Sequence, residues 1–161
     1  IMPVSCSVLA DRLKAHLRVA VDMHATELRV SVQKEKAEGQ PACFLVLSFA
    51  AGGVTRTDVL QSKMQPKNDE RDDDDDDPTL VVGEINAEWR RLREVGRLET
   101  ICAGRYPVSF LAAMIKGLDR SSWINVCMGN DMPLMIQVPI GTIQSEIRML
   151  LAPCAVVQQQ P

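Results

Sequence analysis

Aromatic side chains are scarce in this 161-residue chain, which has three Phe, two Trp and one Tyr. Modules that read single-stranded nucleic acid stack bases on exposed aromatic rings. With so few rings to spare, the composition argues against such a reader and points to an aliphatic core of Leu, Val, Ile and Met. Histidine is scarcer still: His16 and His24 lie eight positions apart with no cysteine nearby, and no C-x-x-C occurs, so a zinc site is not expected. There is no G-x-x-x-x-G-K loop, no G-x-G-x-x-G and no serine in a nucleophile elbow. Spacing alone leaves a Cys6–His16 pair open, as it does a thiol hydrolase built on Cys102 or Cys127. The five cysteines (Cys6, Cys43, Cys102, Cys127 and Cys154) are widely spread and mostly within apolar runs. They read as small buried hydrophobes of a reducing compartment. The longest apolar run, Ala42 to Ala51, is broken by Ser48 and is too short to span a bilayer. No signal peptide is visible, although a start on Ile1-Met2 leaves a removed upstream segment open. Without paired carboxylates, a metal cluster or an activated nucleophile, neither catalysis nor a cofactor is expected.

Charge is present but unevenly placed. The formal net charge is −3. Residues 67 to 77 hold eight acids, including the run Asp72 to Asp77, against Lys67 and Arg71, a local charge of −6. The rest carries sixteen basic and thirteen acidic residues, or +3. One acidic segment thus conceals a mildly basic body. The run lacks the spaced ligands and glycine turn of a calcium loop. Like charges repel and bury nothing, so residues 61 to 77 are expected to be disordered.

Periodicity supplies the elements. Residues 5 to 18 read as a helix capped by Ser5 or Ser7, with Leu9, Leu13 and Leu17 on its buried stripe. Glu27 to Val32 and Cys43 to Phe49 read as a hairpin, with Thr57 to Leu60 on an edge. Thr79 to Ile85 reads as a strand, and Asn86 to Val95 as a helical turn or two or an irregular link. Leu98 to Ala103 is a short strand, and Gly104 to Pro107 turns into a second helix. On that helix Phe110, Leu111, Met114, Ile115 and Leu118 face inward, with Ser109, Lys116 and Arg120 outward. The strands Trp123 to Met128 and Leu134 to Val138 flank a turn at Gly129-Asn130-Asp131, and Ser145 to Leu151 closes the set. Short connections favour an α+β fold, two helices on antiparallel sheet, and two helix-plus-strands halves hint at duplication. Lys14 and Arg18 on the first helix, with Arg12 at the margin, and Lys116 and Arg120 on the second, form the functional constellation. Spaced cations of this kind suit the phosphates of duplex DNA without reading its bases, although ordinary solvated helices carry them too.

The stretch from Tyr106 to Pro153 resembles the last domain of the eukaryotic sliding clamp, the proliferating cell nuclear antigen family. Tyr106, Phe110-Leu111, Lys116 and Ser121-Ser122 carry the likeness, with the strand Ile124 to Met128, Asp131, Pro133-Leu134 and the closing Leu151-Ala152-Pro153. Residues 4 to 49 resemble the domain's earlier part: a short lead strand, a helix and two strands. Residues 50 to 98 align poorly. The resemblance implies a single DNA-clamp-like module over residues 1–153, with the acidic insertion at 61–77 and a flexible tail at 154–161. It implies helices lining a hole for duplex DNA, and sheets forming the outer wall and the joints to other clamp subunits. Replication or repair proteins with short peptide motifs would dock outside, in the nucleus. A complete clamp subunit has two such modules and this chain supplies one, as a separate half, a trimmed piece or a divergent relative. A checkpoint-clamp-type subunit of the DNA damage response shares the architecture. The tail lacks the acidity usual in the replication clamp, which weakens the docking expectation. A protein-interaction domain indifferent to DNA is the remaining alternative.

Overall fold

Alternation of buried and exposed residues along the strands settles the architecture. The computed structural model describes residues 3–62, 78–140 and 145–155, with the backbone alone over 78–82. In chain order the elements are β1 (Val4–Leu9), α1 (Ala10–Asp22), β2 (Glu27–Glu35), β3 (Cys43–Ala51), β4 (Val54–Gln61) and α2 (Pro78–Glu94). There follow β5 (Leu98–Pro107), α3 (Val108–Ile115), β6 (Trp123–Met128), β7 (Leu134–Ile140) and β8 (Ser145–Leu151). The strands form two antiparallel four-stranded sheets, ordered β1-β6-β7-β8 and β4-β3-β2-β5. The fold class is α+β.

The order β-α-β-β-β occurs twice, from β1 to β4 and from β5 to β8. Each half lends its lead strand to the other: β1 pairs with β6, and β5 pairs with β2. One continuous core runs through both sheets, α1 and α3, and includes Leu13, Leu17, Leu28, Val30, Leu47, Tyr106, Leu111, Ile124 and Ile136. The hinted duplication is therefore visible as topology. At the β3–β4 turn Gly52 and Gly53 both take positive φ, 58° and 78°, the twist that a two-residue hairpin needs.

Five sequence readings need correction. Residues 5 to 9 are strand, because Cys6 and Val8 alternate inward opposite Val126 and Ile124 of β6. Neither Ser5 nor Ser7 caps α1. The amide of Ala10 donates to Ser122 O at 2.9 Å, and that of Asp11 to Arg120 O at 3.1 Å, so the loop after α3 satisfies these helix-end donors. Residues 104 to 107 continue β5, since β2 extends its ladder to Glu27↔Pro107. Phe110 is 64% exposed: the buried phase of α3 is Val108, Leu111 and Ile115.

The fifth correction is α2. The expected strand over Thr79 to Ile85 is the first half of a 17-residue helix. Ile85, Trp89 and Leu92 recur at helical spacing and pack on Phe44, Val46 and Val59, on the face of the second sheet turned away from the main core. Trp89 Nε1 donates to Gln33 Oε1 at 2.8 Å, and the Arg93 guanidinium lies 5.3 Å from the indole centroid. Packing against an apolar sheet face overrides the local β propensity of the Thr-Leu-Val-Val run. It also accounts for the Ala42 to Ala51 run: β3 is covered on both faces, so it does not alternate. Of the expected insertion, Gln61 and Ser62 belong to the β3–β4 hairpin, where Ser62 N–H donates to Cys43 O at 2.9 Å. Residues 63–77 lie outside the described residues, as do 156–161 of the tail. Cys154 N–H donates to Arg105 O at 2.8 Å.

Tight packing around Tyr106 generates a test. Its hydroxyl donates to Met132 O at 2.7 Å, tying β5 to the β6–β7 turn. A Cβ placed on Gly104 would meet that hydroxyl at 2.8 Å. Gly104→Ala is therefore expected to lose about 1–3 kcal/mol of stability through overpacking, read from urea denaturation midpoints. An unchanged midpoint would mean that Tyr106 repacks freely.

Candidate nucleic-acid interface

The α1–α3 pair is the element on which the candidate phosphate-binding residues converge. Val108 N–H, at the start of α3, donates to Thr26 O just beyond α1, while the start of α1 bonds to the loop after α3. The helices thus lie antiparallel and side by side, each end tied to the other's connection.

Arg12, Lys14 and Arg18 all lie on α1, Arg12 and Lys14 half-buried and Arg18 exposed. Lys116 is the C-cap residue of α3 and is exposed. Arg120 is not helical: it is exposed in the loop before β6. Arg12, Lys14, Lys116 and Arg120 are thereby brought to one end of the helix pair, while Arg18 stands one turn further along α1. Lys14 is not free of the chain. Its ammonium donates to Lys116 O at 3.3 Å and to Leu118 O, two carbonyls at the open end of α3. There it meets orphan acceptors and the negative end of the helix dipole. Asp119 stands beside the group and accepts from Ser121 N–H at 3.1 Å and Ser121 Oγ at 3.0 Å. Those hydrogen bonds, with Lys14 nearby, hold its carboxyl below the ordinary range. α3 itself carries no charge: Ser109, Phe110 and Ala113 are its exposed side chains.

Sequence reasoning missed His16. It is 2% exposed on the inner face of α1, edge-on to Phe49 with ring centroids 5.2 Å apart. Its Nδ1 donates to Asp58 Oδ2 on β4, and Arg56 Nε reaches the same oxygen at 3.4 Å. Nε2 is buried without a partner. The pair pins α1 to the edge strand of the second sheet. No signal in the one-dimensional pattern links positions 42 residues apart. Cys6 does not meet His16; its sulfur lies against Cys43. Burial raises the Cys102 thiol, and Cys127 is buried against Ser5 and Gln137. Among the described residues no group of three or more His, Cys, Asp or Glu could hold a metal, and no helix is long and apolar enough to cross a membrane.

No family model matches the chain, and no curated protein does. Among solved structures it is similar to PCNA from Thermococcus kodakaraensis, with a TM-score of 0.60 and 17% identity. The match covers 94% of this chain and 48% of that one, so the chain spans about half the length of the structure it matches. The fold is that of a PCNA-like sliding-clamp module.

The His16–Asp58 contact carries a pH dependence with a defined sign. The His16 hydrogen bond, opposed by burial and aided by the charges of His16 and Arg56, holds the Asp58 carboxyl below its ordinary value. A depressed carboxylate contributes stability above its unfolded pKa of about 4 and loses it as pH falls through the folded value. The stability gap between wild type and Asp58→Asn is therefore expected to be largest near neutrality and to close below about pH 4. Chemical denaturation at a series of pH values reads it, and a gap independent of pH would mean that the ionised carboxylate is not what stabilises.

Proposed function

We propose that the chain is a non-enzymatic module of a DNA sliding clamp, a processivity scaffold that helps encircle duplex DNA in the nucleus and docks replication or repair proteins. The observation that carries this reading is the clamp fold over 94% of the chain. Supporting it are five basic side chains on the helix pair and on the loop after α3, mostly at one end. Arg18, Lys116 and Arg120 are the exposed cations there, with Arg12 and Lys14 at the margin. Cations on rigid helices, without aromatic platforms, suit backbone phosphates of any sequence. Because the chain spans half of the matched clamp, closing a ring needs further modules, whether other copies or a second clamp-like chain. A checkpoint-clamp-type subunit fits the same module.

A second reading rests on α3. Its outer face is free of charge and displays Phe110, more like a protein contact than a phosphate track. In that reading the module binds partners and DNA is irrelevant.

Two measurements separate these. Binding to duplex DNA should fall steeply with salt and ignore sequence. The variant Arg18→Glu with Lys116→Glu should weaken it and reduce the slope of log K against log[salt] by roughly 2. Stability should change by no more than about 0.5 kcal/mol, since both groups are exposed. Lys14 is left intact because its ammonium closes the end of α3. Equal retention of both proteins on circular DNA at low salt would defeat the DNA-facing assignment. The assembled mass in solution gives the other test: a ring-sized assembly supports a clamp, whereas a strict monomer favours the interaction module.

A further inference from the structure

Among the described residues, two thiols meet on the seam between the sheets. Cys6, on β1 of the first sheet, is fully buried. Cys43, at the start of β3 in the second, is half-buried. Their sulfurs are 3.6 Å apart, although the residues are 37 positions apart in the chain. The surroundings are ordered by backbone hydrogen bonds: Ser7 N–H donates to Ser62 Oγ at 3.1 Å, and Ser62 N–H to Cys43 O at 2.9 Å. Lys34 stands opposite Cys43 in the β2–β3 register.

We propose that Cys6 and Cys43 form a peroxide-sensitive dithiol whose oxidation ties the first sheet to the second. The two thiols are not equivalent. The two sulfurs share a hydrogen bond in which either thiol could be the donor. That hydrogen bond lowers the Cys43 thiol against the opposing effect of burial, and Lys34 adds to the lowering. The same contact and burial raise Cys6. Cys43 is thus the group that ionises and the one a small oxidant reaches. Cys154, the other half-buried thiol, is raised by burial and by Glu27.

The chemistry closes in two steps. The Cys43 thiolate attacks one oxygen of hydrogen peroxide, the O–O bond breaks and hydroxide leaves, giving Cys43 sulfenic acid. Cys6 sulfur then attacks Cys43 sulfur, the S–O bond breaks, and the Cys6 proton departs with the hydroxyl as water. The two sulfurs lose two electrons, peroxide gains them, and two waters form in total once hydroxide is protonated. Closing the bond takes the sulfurs from 3.6 Å to about 2.05 Å, a shift within reach of side-chain rotation and a small movement of the strands. Cys102 is no competitor for this role, since its thiol is buried and donates toward Met128 O at 3.7 Å.

The test uses the full reduced chain and equimolar hydrogen peroxide, read by intact mass and by non-reducing peptide mapping. Loss of two hydrogens, a Cys6–Cys43 cross-linked peptide and reversal by dithiothreitol are expected. The oxidised chain should also melt at a higher temperature, because the cross-link restricts the unfolded state. In Cys6→Ser, the Cys43 sulfenic acid should accumulate and be captured by dimedone, whereas in Cys43→Ser position 6 should stay unmodified. Mapping of the wild type needs no variant. A cross-link elsewhere, or Cys154 reacting as fast as Cys43, would overturn the proposal. So would a dimedone adduct on Cys43 in the wild type with no disulfide. None of these readouts involves DNA, so the inference stands or falls apart from the clamp reading.

Discussion

The exchange of lead strands is the constraint on which the rest of this structure depends. β1 hydrogen-bonds to β6 and β5 to β2, so neither β-α-β-β-β half has a complete sheet of its own. An edge left by removing either strand would expose a row of backbone donors and acceptors, each costly to leave unpaired where water is excluded. The shared core then follows, because the inner faces of both sheets and the buried stripes of α1 and α3 have only one another to cover them.

That arrangement also decides what the helices are able to present. Each has its ends tied to the other's connection, so the pair behaves as a single layer. Part of its charge is consumed in holding itself together. Lys14 closes the carbonyl end of α3, and the loop carrying Arg120 closes the amide end of α1. Basic residues on amphipathic helices thus serve two purposes that a helical wheel does not distinguish. Arg18 and Lys116 remain the cleaner candidates for phosphate contact.

Outside the duplicated frame, α2 is the principal addition. It falls between the two halves and covers the outer face of the second sheet through Trp89 and Leu92. It covers the apolar patch of Phe44, Val46 and Val59 there, which is why β3 reads as a continuous hydrophobic run.

Several features were determined by the sequence alone. The α+β class, the β2–β3 hairpin, the β6–β7 hairpin and β8 follow from alternating or continuous apolar runs bounded by turn residues, a local property of the chain. The Tyr106 to Pro153 resemblance pointed to the same module that the solved clamp structure matches. Tertiary structure decided the rest, because the deciding partners are distant in sequence. The segment 5–9 became strand through β6, and the Thr79 to Ile85 segment became helix. The phase of α3 turned Phe110 outward because Val108, Leu111 and Ile115 found the core. His16 met Asp58, and Cys6 met Cys43, across gaps of 42 and 37 positions. Periodicity reports which face of an element is apolar. It carries no information about which distant side chain will lie against that face, and that pairing is settled only when both sheets close on one core.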